Sequence, residues 1–386
     1  MISTLLIMQS ILALCSREEA PVRSGADRLD QYLRVIEEKN FALVANHTSV
    51  VGDSHLVDTL LSSGITRDQL LKVFAPEHGF RGGMAAGHQV EDGTDPVTGI
   101  SIVSLYGKHK KPEPEEMEGV ELMVFDLQDV GVRFYTYIST LHYVMEACAE
   151  NGVPLLVLDR PNPNGGYVDG PVLESEYSSF VGMHPIPVVY GLTMGELAKM
   201  INGEGWLNNG LQCDLQVIPC EHYDHGTPYT MPVSPSPNLT NDHAIRMYPS
   251  TCFFEGTVIS EGRGTQMPFE AYGHPELEGH FSFTPVSIPG ISGNPKFRDQ
   301  LCYGADLREF VPPEGWSRLQ LQWLMDAYLK FPRKDAFFTS YFEKLAGTST
   351  LREQIEAGWD QHRIRMSWQK ELDRFLEKRR PYLIYP

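Results

Sequence analysis

The chain has 386 residues, of which 42% are hydrophobic and 21% charged, a composition typical of a globular protein with more than one domain. It carries 32 basic and 50 acidic residues, a formal net charge of −18, and the acidic residues are spread along the chain. This charge argues against a nucleic-acid partner, because contact with a phosphate backbone requires clustered lysine and arginine.

The first fifteen residues form an apolar stretch about as long as the core of a secretory signal and too short to span a bilayer. Cys15 follows Leu-Ala-Leu, which resembles a lipoprotein acylation site except that Leu14 is bulky for that position. We therefore expect residues 1–23 to be a leader and linker. The protein would be exported to the periplasm, either free or anchored to the membrane by lipid on Cys15.

Short apolar runs alternate with helical periodicity through the first half of the chain. The apolar runs predict strands at residues 41–45, 70–75, 101–105, 122–126, 155–159 and 214–218. The helical periodicity predicts helices at residues 54–62, with Ser54 as N-cap, at 135–151, and from the N-cap Thr193 to about residue 201. Strands that alternate with helices predict an α/β domain, here residues 24–235, with a mostly parallel sheet covered on both faces.

A proline-rich stretch at residues 228–237 breaks this alternation. We place a domain boundary between residues 230 and 245, so that residues 236–386 form a second, smaller α+β domain. In it the pattern predicts strands near residues 251–259 and 281–288 and helices near residues 317–330 and 363–378.

Glu77 follows the predicted strand 70–75 in the segment Phe74-Ala-Pro-Glu-His-Gly. Pro76 should end that strand, because proline has no N–H group to donate to a sheet. Glu77 and His78 would then lie at the carboxyl edge of the sheet, where ligands bind in open α/β folds. Apolar phenylalanines on either side favour a neutral carboxyl group, so Glu77 is a candidate proton donor. The alternative is a solvated carboxylate that caps the following segment.

Polar side chains follow other predicted strands as well. Asp126 ends one strand, and Asp159 with Arg160 ends the next. Each of these alone is more often a cap or a turn residue. Adjacent parallel strands would bring them to the same edge as Glu77, which favours a functional site.

The segment 129–137 joins a glycine turn to an arginine and several tyrosines. Gly131 permits a tight turn, Arg133 offers a planar fork of donors that suits a carboxylate, and the tyrosines supply stacking surface. Sugars and their acidic substituents are bound by such groups. The alternative is that Arg133 pairs with Asp129 or Asp126 for structure.

In the second half, Glu261 and Arg263 lie in the segment Ser260-Glu-Gly-Arg-Gly-Thr. The glycines beside Arg263 let the backbone approach a ligand closely, and Glu261 adds a second carboxyl group. The alternative is a surface loop with a salt bridge.

Several common catalytic motifs are absent from the sequence, including those of P-loop nucleotide hydrolases, dinucleotide-binding folds, serine esterases and zinc peptidases. His222, Asp224 and His225 could bind a metal, but a surface loop is the better interpretation. A hydrolase that works with carboxyl groups and without a cofactor remains.

The chain resembles the bacterial exo-β-N-acetylmuramidases, glycoside hydrolases long known only as a domain of unknown function. In the first half the resemblance rests on Val44-Ala-Asn-His-Thr-Ser, Phe74-Ala-Pro-Glu-His-Gly, Ser104-Leu-Tyr-Gly-Lys, Asp126-Leu-Gln-Asp-Val-Gly-Val-Arg-Phe-Tyr-Thr-Tyr, Asp159-Arg-Pro-Asn-Pro-Asn-Gly-Gly and Gly191-Leu-Thr-Met-Gly-Glu-Leu-Ala. In the second half it rests on Ser236-Pro-Asn, Ser260-Glu-Gly-Arg-Gly-Thr, Pro268-Phe-Glu and Lys344-Leu-Ala-Gly-Thr. Phe80 and Gly83 depart from the family pattern, which affects the pocket rim and leaves the proposed acid in place.

The resemblance implies a Rossmann-like domain joined to a smaller C-terminal domain, with the active site in the cleft between them. It implies release of terminal N-acetylmuramic acid (MurNAc) from the non-reducing end of peptidoglycan fragments, in cell-wall turnover and recovery. The family's proposed catalytic glutamate falls on Glu77. The substrate would be a muramyl sugar or muropeptide.

The chemistry of glycoside cleavage needs an acid on the leaving oxygen and usually a second carboxylate. If the substrate's 2-acetamido group acts as an internal nucleophile, that second group only orients the amide, and Asp126 and Glu261 are both candidates. A cationic clamp for the lactyl carboxylate of muramic acid could be Arg133, Arg160 or Arg263. The predicted catalytic residues are Glu77, His78, Asp126 and Glu261. The predicted substrate-binding residues are Asn46, Arg81, Arg133, Tyr135, Tyr137, Arg160, Asn162, Asn238 and Arg263.

Two other functions are compatible with the same residues. One is a metal-dependent amidase or deacetylase acting on muramyl sugars through His78 and Asp126. The other is a lipid-anchored protein that binds muropeptides without cleaving them.

Overall fold

The computed structural model describes residues 20–81 and 92–386. The predicted leader and the acylation site at Cys15 lie outside these residues. No helix in the described ranges has both the length and the apolar character needed to cross a membrane.

Twelve strands and nine α-helices occur within the described residues. The strands are β1 (Phe41–Ala45), β2 (Val50–Val51), β3 (Ser54–His55), β4 (Leu70–Ala75), β5 (Gly93–Thr94), β6 (Ser101–Ser104), β7 (Leu122–Asp126), β8 (Leu155–Leu158), β9 (Leu215–Ile218), β10 (Ala271–His274), β11 (Phe281–Phe283) and β12 (Cys302–Asp306). The helices are α1 (Leu29–Ile36), α2 (Leu56–Ser62), α3 (Tyr137–Asn151), α4 (Met194–Gly203), α5 (Asp242–Thr251), α6 (Gln322–Lys330), α7 (Phe342–Ala346), α8 (Thr350–Glu356) and α9 (Gln361–Arg379).

The main sheet has seven strands in the order β5-β6-β4-β1-β7-β8-β9. All of its pairings are parallel except that of β5 with β6. Its six parallel strands follow the chain in the order 3-2-1-4-5-6, which is the strand order of a Rossmann fold. The direction of winding therefore reverses between β1 and β7, and the crevice beyond the carboxyl ends of these strands is the expected ligand site.

Successive side chains in the parallel strands point to opposite faces of the sheet, and both faces are buried. In β1, for example, Leu43 packs in the cluster on the face that carries α1 and α2, whereas Val44 packs in the larger cluster with α3 and α4. That larger cluster continues into the second domain through Phe253 and Phe331. The predicted fold class, a mostly parallel sheet with a smaller second domain, is confirmed.

The second domain contains a three-stranded antiparallel sheet, in the order β10-β12-β11, and the helices α5 to α9. The strand predicted at residues 251–259 is wrong. This segment is the end of α5 and a 3₁₀ turn, Cys252–Gly256, whose aromatic side chains are buried in the core. Aromatic side chains also favour strands, so the sequence pattern was ambiguous there.

The N-terminal caps show how local sequence sets the helix starts. Thr193 caps α4 as predicted, with its side chain accepting from Glu196 N and the Glu196 side chain accepting from Thr193 N. The N-cap of α2 is His55 rather than Ser54, because residues 54 and 55 pair with β2 in a short hairpin. The helix predicted from residue 135 begins at Tyr137.

Candidate active site

A cleft of about 580 Å³ lies between the carboxyl edge of the main sheet and the second domain. The first domain contributes Glu77, His78, Tyr106, Tyr135, Thr136 and Phe180 to its walls. The second domain contributes Glu255, Glu261, Arg263, Phe269, Lys296 and Tyr341. The cleft therefore combines carboxyl groups, cations and aromatic rings.

Glu77 is half-buried on the first-domain wall, just after Pro76 ends β4. The Tyr106 hydroxyl donates to its Oε1 at 2.9 Å, and the Thr136 hydroxyl donates to its Oε2 at 3.0 Å. Tyr106 follows β6 and Thr136 precedes α3, so neighbouring elements fix both carboxyl oxygens. The carboxyl group is thus held in one orientation inside the cleft, as a general acid or base must be.

His78 lies beside Glu77 in a backbone conformation that is rare for residues other than glycine. Its φ angle is +75°, and its side chain is only 4% exposed although it lines the cleft. A non-glycine residue in this region costs about 1–2 kcal/mol. The ring of His47, the residue after Asn46, lies edge-on to His78 with the centroids 6.5 Å apart. Burial lowers the pKa of His47, so that ring is neutral at pH 7.

Glu261 and Arg263 lie on the second-domain wall of the same cleft that Glu77 lines. Glu261 is 3% exposed, and its Oε1 lies 3.3 Å from Arg263 Nε. Arg263 also contacts Glu255 Oε1 at 2.7 Å, and its guanidinium lies 4.9 Å from the centre of the Phe269 ring. Burial opposes the charged form of Arg263, but the carboxylates of Glu255 and Glu261 outweigh it and raise its pKa.

The second carboxyl oxygen of Glu261, Oε2, lies 3.3 Å from Lys296 Nζ but accepts no hydrogen bond from any residue within 20–81 or 92–386. The contact with Lys296 is therefore a loose ion pair and leaves acceptor capacity on Oε2. A buried carboxylate oxygen with spare capacity is suited to accept an N–H group from a ligand.

Asp126 does not belong to the cleft, which corrects its predicted catalytic role. Arg160 clamps it with Nε at 2.5 Å from Oδ1 and Nη2 at 2.9 Å from Oδ2, and both side chains are buried. Arg160 also donates to the carbonyl of Val50. The pair stabilises the carboxyl edge of the sheet, so neither the Asp126 carboxylate nor the Arg160 guanidinium is available to a substrate.

Arg133 is likewise structural rather than the predicted carboxylate clamp. It is fully buried, and its guanidinium donates to four backbone carbonyls, at 2.7 Å from Pro171 O, 2.7 Å from Ile186 O, 2.9 Å from Leu345 O and 2.7 Å from Ala346 O. Burial lowers its pKa to about 9, which still leaves it charged at pH 7. Arg133 therefore joins the first domain to α7 of the second.

Arg81 and Asn162 are also held by the protein itself, which corrects their predicted binding roles. The guanidinium of Arg81 donates two hydrogen bonds to Asp58, at 2.9 and 3.0 Å. It donates two more to Asp95, both at 2.8 Å. The Arg81 guanidinium lowers the pKa of Asp95 well below its usual range. Asn162 is buried, donates to Leu192 O and contacts Gly131, whose φ angle is +74°.

The remaining predicted residues support or line the cleft. Asn46 donates to the Tyr137 hydroxyl at 2.6 Å, and that hydroxyl donates to the carbonyl oxygen of Glu77 at 3.3 Å, so this pair supports the turn that carries Glu77. Tyr135 lines the cleft, with its hydroxyl bonded to Pro235 O. Asn238 donates to Ile291 O from a buried position near the cleft wall.

Several cleft residues were not identified from the sequence: Tyr106, Thr136, Phe180, Glu255, Lys296 and Tyr341. Tyr106 and Thr136 lie within the motifs that carry the family resemblance, so the sequence offered a reason to include them among the site residues. Glu255 lies in the aromatic segment that was assigned to a strand, and Lys296 lies in an irregular loop, so neither had a recognisable pattern.

The chain is similar to known proteins along most of its length. A family model described as exo-β-N-acetylmuramidase NamZ, N-terminal, matches residues 41–243, and the corresponding C-terminal model matches residues 246–385. The peptidoglycan β-N-acetylmuramidase NamZ of Bacillus subtilis (strain 168) is 39% identical over 392 residues, which cover 94% of this chain and 91% of the relative.

Two solved structures of DUF1343 family proteins from Bacteroides fragilis NCTC 9343 share the architecture. One is 44% identical with a TM-score of 0.87, and the other is 27% identical with a TM-score of 0.82. Each match covers 95% of this chain and 99% of the solved chain. The resemblance inferred from the motifs is confirmed.

Proposed function

This chain belongs to the exo-β-N-acetylmuramidase NamZ family, and we propose that it releases terminal MurNAc from the non-reducing end of peptidoglycan fragments with Glu77 as the general acid. The observation that carries the assignment of Glu77 is its position in the cleft, with one hydroxyl donor on each carboxyl oxygen. A fixed carboxyl group of this kind can deliver a proton to the leaving glycosidic oxygen.

Glu261 supplies the second carboxyl group of the proposed mechanism. Asp126, the other candidate, is occupied by Arg160 on both oxygens, whereas Glu261 Oε2 retains acceptor capacity in the cleft. We assign this oxygen to the N–H of the substrate's 2-acetamido group. Such a hydrogen bond orients the acetamido carbonyl oxygen towards the anomeric carbon.

The positions of Glu77 and Glu261 define how bonds form and break in the proposed reaction. The acetamido oxygen attacks the anomeric carbon while the bond from that carbon to the leaving oxygen breaks, and Glu77 gives its proton to the leaving oxygen. A water molecule then opens the cyclic intermediate and returns a proton to Glu77. Two inversions at the anomeric carbon produce net retention of the β configuration.

The experiment uses the purified protein and a MurNAc–GlcNAc disaccharide. Mass spectrometry should detect free MurNAc and N-acetylglucosamine, and NMR during the first minutes should detect the β anomer of MurNAc. No cleavage would reject the proposed function, whereas an α anomer would reject the acetamido route and leave the exo-muramidase activity standing.

This activity would serve cell-wall turnover and recycling. We also propose that the protein is exported, on the support of the apolar residues 1–15, and that Cys15 carries a lipid anchor. Fractionation of cells that produce the native protein and Cys15→Ser checks both proposals, because only the native protein should remain with the membranes.

A further inference from the structure

Two cations that line the cleft are already engaged by the protein itself. Arg263 is shared between the carboxylates of Glu255 and Glu261. Lys296 Nζ lies within hydrogen-bond distance of four backbone carbonyls, at 2.7 Å from Phe254 O, 3.5 Å from Glu255 O, 3.0 Å from Thr257 O and 2.9 Å from Ile259 O. Neither side chain offers an uncompensated positive charge to an anionic group of a ligand.

Lys110 differs from these two cations. Its Nζ lies 4.4 Å from the ring centre of Phe180, and the Lys110 side chain forms no hydrogen bond or ion pair with the part of the chain that the structure describes. Its neighbour Lys111 is held at 2.7 Å by each of Glu146 and Glu150, and His109 is bonded to Ser104 O. The segment 109–111 is thus fixed on both sides of Lys110. The Lys110 side chain is partly exposed, and no carboxylate within residues 20–81 or 92–386 pairs with it.

Phe180, whose ring Lys110 contacts, lines the cleft that contains Glu77, so this charge lies next to a residue of the cleft wall. The backbone carbonyl of Phe180 accepts a hydrogen bond from Ser139 Oγ at 2.7 Å. The Phe180 ring stacks on the Tyr143 ring, with the ring centres 6.4 Å apart and the ring planes at 17° to each other. Both contacts hold Phe180 in place on the cleft wall. An ammonium group beside a fixed aromatic ring is a suitable partner for a carboxylate that adjoins the apolar face of a sugar.

Among the described residues that line the cleft, Arg263 and Lys296 are matched by the carboxylates of Glu255 and Glu261, so these two cations give the wall no surplus positive charge. An anionic substituent of a ligand would gain most from a further cation close by. The anionic substituent of a terminal muramyl residue is its lactyl carboxylate, unless a stem peptide has converted that group into an amide.

We propose that Lys110, held against Phe180, binds the free lactyl carboxylate of the terminal muramyl residue. This inference rests on the proposed function and specifies the substrate of the same cleft. Lys110 is a specificity-determining residue in this account, because it lies away from the carboxyl group that transfers the proton.

The experiment compares KM and kcat for two aryl β-N-acetylmuramides, one with the free lactyl carboxylate and one with the lactyl group as its methylamide. The proteins are the wild type, Lys110→Met, Lys110→Arg and the matched control Lys108→Met, which removes an exposed lysine from the same loop. If the methylamide is not turned over, its affinity is measured as an inhibition constant, with the free-acid compound as the substrate.

Loss of one charged contact at a partly exposed site corresponds to roughly a tenfold change in KM. The wild type should therefore favour the acid by roughly that factor, and Lys110→Met should remove the preference by raising KM for the acid alone, with kcat nearly unchanged. Lys110→Arg should retain the preference, and Lys108→Met should behave as wild type.

Equal KM values for acid and amide in the wild type would overturn the inference. An equal rise in KM for both compounds in Lys110→Met would also overturn it, because such a rise indicates a structural effect. A loss of the preference in Lys108→Met would overturn it as well, because the effect would then come from the general charge of the segment. Turnover of neither compound by the wild type would instead reject the proposed function on which the inference rests.

Discussion

Replacement of Arg133 tests whether this buried guanidinium has a structural role. Arg133→Met removes the donor shared by four backbone carbonyls, two from the loop between β8 and α4 and two from α7. Each buried acceptor left without a partner costs about 1 kcal/mol at the low end of the known range. The four together give a loss of about 4 kcal/mol, within the range of about 3–5 kcal/mol for breaking a buried charged interaction.

Urea denaturation followed by tryptophan fluorescence measures this loss as a change in the free energy of unfolding. The control is Arg23→Met, which removes a surface ion pair with Glu221 whose side chains are 44% and 37% exposed, and should cost less than about 1 kcal/mol. A loss below about 1 kcal/mol in Arg133→Met, together with a raised KM, would refute the structural role and restore the interpretation of Arg133 as a substrate clamp.

Three further predictions follow from other buried carboxyl groups. Asp126→Asn should lower the free energy of unfolding by about 3–5 kcal/mol, because it leaves Arg160 buried without its counter-charge; an unchanged melting temperature would contradict this. Burial raises the pKa of Asp129 from 3.8 to about 7, with Tyr190 opposing the shift, so its contribution to stability is full below about pH 4 and lost as the pH rises to about 7. Asp129→Asn should abolish that part of the decline in melting temperature with pH, and an identical profile would reject the assignment. Glu261→Gln should lower kcat by at least tenfold if Oε2 accepts the acetamido N–H, and unchanged kcat would remove Glu261 from the mechanism.

Much of the sheet could be predicted from the sequence, because its central strands β1, β7 and β8 are buried on both faces and form continuous apolar runs. The predicted bounds of β1, β4 and β7 agree with the structure to the residue. The failure lies at residues 251–259, where α5 contains Pro249 and is followed by adjacent phenylalanines. Local propensity favoured a strand there, and burial against the second-domain core determined the outcome.

The candidate site was predictable only in part, because residue type does not reveal which partners a charged side chain will find. Glu77, Glu261 and Arg263 all line the one cleft. Arg133 bonds to carbonyls 38 to 213 residues away in the chain, and no local pattern can indicate such partners. Asp126 ends β7 and Arg160 follows β8, and these two strands are neighbours in the sheet. The two side chains therefore form an ion pair with each other, and neither reaches a substrate.

The measurement that tests the central claim most directly is the turnover of two substrates by Glu77→Gln. One is the MurNAc–GlcNAc disaccharide, whose sugar leaving group needs a proton, and the other is a dinitrophenyl β-N-acetylmuramide, whose leaving group does not. With a general acid at Glu77, the variant should keep the wild-type melting temperature and lose disaccharide turnover by about a hundredfold or more, the usual scale for an acid–base group. Its kcat/KM for the dinitrophenyl compound, which reports the cleavage step alone, should fall far less than its kcat/KM for the disaccharide, because Glu77 also accepts the proton of water in the later step that both substrates share. Equal losses of kcat/KM on both substrates, or near wild-type turnover of the disaccharide, would contradict the account.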